Sequence, residues 1–144
     1  MSTEQNKAIS RSWYLDLFNQ GNLDLADAIT TDDYTNHNPY APPGGFGVGP
    51  QATKNVVTLY RTAFPDIHFS VEDQIAEGDT VVTRWTVSGT NTGSLNGMPP
   101  TGKPAMIGGV SIDRYVDGKM AETRVCFDML GLLQQIGVIP MPDA

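Results

Sequence analysis

Two histidines, His37 and His68, and a single cysteine, Cys126, are the residues whose types most readily suggest chemistry. His37 sits in Asn36-His37-Asn38-Pro39, outside any predicted regular element. An imidazole titrates near neutral pH and is the most economical general base, and its asparagine neighbours can hydrogen-bond a ligand oxygen. The same turn can equally spend those side chains on its own backbone. The histidines lie far apart without ligand-type spacing and Cys126 stands alone, so no metal site is expected. With no basic or helix-N-terminal setting in view, Cys126 is expected to be a buried, inert thiol. Ser111 occurs as Gly-Val-Ser-Ile-Asp within a predicted strand, which is not the strand-to-helix elbow a nucleophilic serine needs.

Gly45-Phe46-Gly47-Val48-Gly49 precedes a predicted helix, as a phosphate-cradling loop would, but Pro39, Pro42 and Pro43 stand where the dinucleotide fingerprint requires a strand. The segment is expected to be a flexible rim whose Phe46 and Val48 touch an apolar ligand, or else an ordinary surface loop.

Positioning these groups falls to elements that the apolar period reveals. Ser2-Thr3-Glu4-Gln5 is a capping box, and a helix is predicted from there to about Gln20. Its apolar residues occupy more than one side, which predicts cover on two faces. Gly21 stops it, and Asn22 is expected to cap a short helix through Ile29. Tyr34 to Gly49 shows no usable period and is predicted to be a long loop. Pro50 fits a helix start, with Ala52, Val56, Leu59, Tyr60, Ala63 and Phe64 on one side.

After Pro65 the period becomes two, through Ile67, Phe69 and Val71, a turn at Glu77-Gly78-Asp79, and a run from Thr80 to Gly89. Further strands are predicted at Ala105–Val116 and Lys119–Phe127 around an Asp117-Gly118 hairpin turn. Gly108-Gly109 suggests a bulge or sharp bend. Asp128 is expected to cap a last helix, Met129 to Ile136. Helices followed by a four-strand meander define an α+β fold, a cone-shaped curved antiparallel sheet wrapped around N-terminal helices, forming one domain over residues 1–144. The concave face of such a cone is too wide to fill and makes a pocket.

Alternation puts Arg84 on the face of its strand opposite Val81, Thr83, Trp85 and Val87. Depending on which face lines the pocket, Arg84 either holds an enolate or carboxylate or is an ordinary cross-strand charge.

The composition narrows the partners. Nine Lys and Arg against sixteen Asp and Glu give a net charge of −7, and the basic residues form no cluster. Nucleic acid and anionic membranes are therefore disfavoured. One cysteine excludes an internal disulfide, and no apolar run has the length of a membrane span. A cytoplasmic protein is expected.

Asp33-Tyr34-Thr35-Asn36-His37, Phe64-Pro65-Asp66, Gly97-Met98-Pro99-Pro100-Thr101-Gly102, Val116-Asp117-Gly118-Lys119 and Asp128-Met129-Leu130-Gly131-Leu132-Leu133-Gln134-Gln135-Ile136-Gly137 occur in that order. Together they resemble the SnoaL-like polyketide cyclase, or ester cyclase, family. The resemblance implies the cone of the nuclear-transport-factor-2 and ketosteroid-isomerase superfamily. It also implies a cofactor-free intramolecular aldol condensation that closes the last ring of a polyketide ester. The family's acid/base aspartate and assisting histidine fall at Val125 and Ser111 here, so that pair is not carried over. Asn36 matches a ligand-contacting position of the family.

Two readings follow. In the first, the protein is a cyclase, isomerase or hydratase that needs no cofactor and enolises an apolar, oxygenated small molecule, with His37 as base and Asn36 plus Arg84 polarising a carbonyl. Trp13, Tyr34, Phe46, Phe64, Met98, Ser111, Val125 and Phe127 are the expected binding wall. In the second, the same cone is a non-catalytic binding module. A homodimer through the outer sheet face is expected in either case.

Overall fold

A computed structural model describes residues 2–142. Helix α1 spans Thr3–Ser12, started by the expected capping box: the Gln5 amide N–H donates to Ser2 Oγ, and the Ser2 N–H to Gln5 Oε1, both at 3.1 Å. The helix then widens into a π-helical turn over Trp13–Phe18. That widening carries Trp13, Tyr14, Leu17 and Phe18 into the interior together, and so accounts for an apolar pattern broader than one stripe. The end of this helix is pinned to the sheet by Asn19, whose side chain exchanges hydrogen bonds of 2.7 and 3.0 Å with the backbone of Phe69.

A short helix α2, Leu25–Ile29, follows, with Asp24 and not Asn22 at its start. The chain from Tyr34 to His37 is not the start of a loop, as the sequence predicts, but strand. Thr30–His37 is strand β1, lying parallel to the last strand with Asn36 opposite Thr123 and His37 opposite Arg124. Its sequence hides it because it is an edge strand with polar residues on both faces, burying only Thr30 and Tyr34. Helix α3, Pro50–Ala63, starts at the expected proline.

The remaining strands are β2 (His68–Glu77), β3 (Thr80–Thr90), β4 (Pro104–Val116) and β5 (Lys119–Phe127), and α4 (Met129–Gln135) ends the fold. The sheet order is β1-β5-β4-β3-β2, antiparallel except for β1 with β5. The expected meander is thus present with a fifth strand added, and the fold is the α+β arrangement predicted. Among the described residues no helix is long and apolar enough to cross a membrane.

Gly108-Gly109 makes no bulge, since β3 and β4 pair without interruption past it. Its role is close approach: a Cβ on Gly109 would lie 2.3 Å from the Trp85 ring. The register shifts fall at Thr30/Thr35 on β1, at Val71/Asp73 and at Arg114/Tyr115. Where β5 stops short, the Gln135 side chain replaces it, accepting from the Met106 N–H at 2.7 Å and donating to the Met106 carbonyl at 3.0 Å. This clamp sets α4, capped by Asp128 as expected, across the wide end of the cone.

Candidate functional site

The concave face of the sheet, α3, α4 and the π-helical turn enclose a cavity of about 750 Å³, including the open solvent at its mouth. Its wall is overwhelmingly apolar. Phe69 and Trp85 meet edge-on at 5.0 Å, and Phe127 takes Tyr40 on its edge at 5.2 Å near the mouth.

The sheet register arranges the polar positions in successive rungs. Ser111 on β4 pairs with Val125 on β5, and one step deeper Asp113 pairs with Thr123, with Asn36 of β1 beyond it. Ser111, Val125, Thr123 and Asn36 line the cavity. The Ser111 hydroxyl is already engaged, accepting from Trp85 Nε1 at 3.0 Å.

Asp113, at 2% exposure, lies behind Thr123 at the closed end. Thr123 Oγ1 donates to its Oδ1 at 2.8 Å and Ser10 Oγ to its Oδ2 at 2.7 Å, with the Tyr115 hydroxyl 2.5 Å from Ser10 Oγ. Burial raises its carboxyl to about 6, and the two hydroxyl donors only partly offset that. Burial likewise pushes the hydroxyls of Tyr14, Tyr34, Tyr60 and Tyr115 up, so at neutral pH they are hydrogen-bonding groups and not anions. Asn36 donates from Nδ2 to the Tyr34 hydroxyl at 3.1 Å, whereas its Oδ1 is shielded from solvent and accepts no hydrogen bond.

The predicted site residues divide accordingly. Asn36, Trp13, Phe64, Ser111, Val125 and Phe127 all face the cavity. His37 does not, because alternation along β1 turns it to the outer face, where Nε2 lies 3.1 Å from Glu122 Oε2. That contact, with Arg124 and Arg114 nearby, holds the Glu122 carboxyl below its ordinary value. Arg84 is also on the outer face, donating twice to Asp73 at 2.6 and 2.8 Å. Neither can meet a molecule in the cone, so His37 is not its base and Arg84 does not polarise a carbonyl there.

Tyr34 is core beneath Asn36, and Phe46 is core as well, so the glycine-rich segment is anchored by Phe46 while Val48 stays exposed. Asn55 Nδ2 fixes the segment further by donating to the Phe46 carbonyl at 2.8 Å. A strand does precede this segment, contrary to expectation, but Phe46 ties the loop down into the core. Met98 packs against the core away from the cavity. Cys126 is exposed on the outer face and not buried.

Sequence reasoning left the direction of Asp113 open and did not name Thr123 or Tyr14 as site residues. Alternation puts Asp113 on the strand face of Ser111, but alternation alone does not say whether that face meets water or core.

The sequence pattern of the SnoaL-like polyketide cyclase family matches residues 8–136. The chain is 35% identical over 127 residues to the nogalonic acid methyl ester cyclase of Streptomyces nogalater, covering 88% of this chain and 92% of that one. It is 29% identical over 129 residues to the aklanonic acid methyl ester cyclase of Streptomyces sp. (strain C5), covering 85% and 76%. The structure of TsrD from Streptomyces laurentii superposes with a TM-score of 0.84 at 24% identity, over 96% of this chain and 99% of that one, a likeness of fold alone. With the family's pattern running through nine-tenths of the sequence, this chain belongs to the SnoaL-like polyketide cyclase family.

Proposed function

We propose that the protein is a cyclase that needs no cofactor: it folds an apolar polyketide ester inside the cone and closes a ring by intramolecular aldol chemistry, with Asp113 as the proton store reached through Thr123. The observation that carries this reading is the rung in which Thr123, a wall residue, donates to a carboxylate buried directly behind it.

The bookkeeping of bonds closes without another reactant. Thr123 Oγ1 takes a proton from the carbon α to a carbonyl as its own proton passes to Asp113 Oδ1. The resulting enolate carbon attacks a second carbonyl, forming the new C–C bond, and the alkoxide recovers a proton along the same path. A carboxyl raised towards neutrality is a stronger base than an ordinary one. The apolar wall contributes by holding the chain ends together, which replaces a large entropic cost.

A second reading, a binding module without turnover, is supported by Val125 and by the engaged hydroxyl of Ser111. Incubation with nogalonic acid methyl ester, the compound for which the relative is named, separates the two. The cyclase reading expects a product of unchanged mass and altered absorbance. Recovery of bound but unaltered ester supports the module, and a product heavier by one oxygen atom contradicts both.

A further inference from the structure

Just past the end of β1, Asn38 opens a turn that holds its side chain in one orientation. Its carbonyl accepts from the Ala41 N–H at 3.1 Å, and Pro39 takes the second position of the turn, where its fixed φ fits. Asn38 Oδ1 accepts from the Tyr40 N–H at 2.8 Å. A backbone N–H can only donate, so this bond settles which end of the amide is oxygen, and the NH₂ must face the other way. There it meets Tyr60 of α3, with Nδ2 3.4 Å from the hydroxyl oxygen. An amide NH₂ cannot accept, so the tyrosine oxygen does, and the Tyr60 proton is left over. Among the described residues it has no acceptor.

The hydroxyl is placed where a ligand can use that proton. Asn38, Tyr60 and Phe127 all line the cavity, and the Asn38 to Tyr60 hydrogen bond is part-buried, not sealed in the core. The Tyr60 ring stands nearly perpendicular to Phe127 at 6.3 Å, and Phe127 meets Tyr40 near the mouth, so the ring is braced from the side. Burial raises the Tyr60 hydroxyl above its ordinary value, with the Asn38 bond opposing, and the proton stays in place at neutral pH. Among the described residues no cation or carboxylate lines the cavity, so a donor here meets a neutral acceptor on the ligand.

We propose that Tyr60, oriented by Asn38, donates its hydroxyl proton in a hydrogen bond to a carbonyl oxygen of the ligand at the mouth of the cone, making the pair a carbonyl-recognition site.

The inference rests on the cone being the ligand site, as proposed above, and not on turnover. In the cyclase reading this anchor fixes which carbon of the chain reaches Thr123 at the closed end.

The test is equilibrium binding of two probes of nearly equal shape, 2-acetylnaphthalene and 2-isopropenylnaphthalene, in which a carbonyl oxygen is exchanged for a CH₂ group. The quantity read is the ratio of their dissociation constants. Relative to Tyr60→Phe, the wild type is expected to favour the ketone by about fivefold. Asn38→Asp keeps an acceptor for the Tyr40 N–H but offers Tyr60 a second acceptor, which takes its proton. The ratio in Asn38→Asp should therefore fall as far as in Tyr60→Phe, an effect that loss of the turn does not explain. The carbonyl stretch of 2-acetylnaphthalene bound to the wild type should lie below its position in hexane. A ratio equal in all three proteins, or one unchanged in Asn38→Asp, overturns the proposal and leaves the cavity reading standing. An unshifted carbonyl band does the same even if a variant does not fold. Failure of both probes to bind the wild type overturns the proposal and the cavity reading together.

Discussion

Thr123 and Asp113 face each other across β5 and β4, and the threonine hydroxyl donates to the carboxylate at 2.8 Å with no cation in the cluster. An anion so placed is held by hydroxyl donors alone in an apolar surround, which is costly. The cost has a measurable sign.

Because the Asp113 carboxyl is raised to about 6 in the folded chain, the folded state binds its proton more tightly than the unfolded state. The stability linked to this group is fully present below the ordinary carboxylate value and is lost as pH rises through about 6. The full swing is roughly 2–3 kcal/mol. Asp66 and Glu122, held low by Thr90 and His37, act in the opposite sense. The clean readout is therefore the difference between wild type and Asp113→Asn in urea unfolding from pH 4 to 7.5. The difference should shift in favour of the variant across that interval, and a flat difference contradicts the assignment.

Gly109 admits the Trp85 ring where a Cβ would stand 2.3 Å away. Gly109→Ala should cost about 1–3 kcal/mol and change the tryptophan fluorescence, because the ring must leave its packed position. An unchanged thermal midpoint and spectrum would show that the close approach is not a constraint.

His37 and Arg84 occupy the outer face in partly exposed polar contacts, His37 with Glu122 and Arg84 with Asp73. Such pairs contribute little to stability. His37→Ala and Arg84→Ala should each shift stability by less than about 1 kcal/mol and leave binding of nogalonic acid methyl ester in the cone within twofold. A tenfold loss in either variant would return that residue to the site.

Ser111 and Val125, opposite one another on the cavity wall, hold the positions to which the family resemblance assigns a histidine and an aspartate. Ser111→His combined with Val125→Asp should raise turnover of a polyketide methyl ester by at least about tenfold if the cavity already holds the substrate in a ring-closing pose. The double variant is expected to lose about 1–3 kcal/mol of stability from burying polar groups. No gain in a folded double variant would show that the pose, and not the acid/base pair, differs from the family's.

Met106, Val110, Ile112 and Val116 are exposed along the outer face of β4. They are bordered by Arg84, Arg114 and Arg124 and by Asp73 and Glu122. We propose that a second copy of the chain covers this stripe, since apolar residues flanked by both signs of charge can be self-complementary about a two-fold axis. Light scattering at micromolar concentration should give a dimer for the wild type and a monomer for Ile112→Lys. A monomeric wild type contradicts the proposal.

The fold was legible wherever one face of an element is buried, as in α3, β2 to β5 and the capped ends of α1 and α4. It was illegible at β1, where the strand pairs through its backbone while Thr31, Asp32 and Asp33 remain partly or fully exposed. Missing that strand also misplaced His37: in a loop its direction is free, but in β1 alternation turns it outward once Asn36 faces the cavity. The wall residues Trp13, Phe64 and Phe127 were accessible to reasoning from apolar periodicity. Asp113 was not, because whether a strand carboxylate faces water or core depends on what packs against it, and here that is Ser10, more than a hundred residues earlier.

The most direct test of the central claim is the pH dependence of ring closure in the wild type, Thr123→Val and Asp113→Asn. The wild type should show a kcat/KM that falls on the acidic side with an apparent value near 6. Each variant should lose about a hundredfold in rate, and Asp113→Asn should lose the acidic limb. Full turnover in Asp113→Asn with the acidic limb intact would contradict the account.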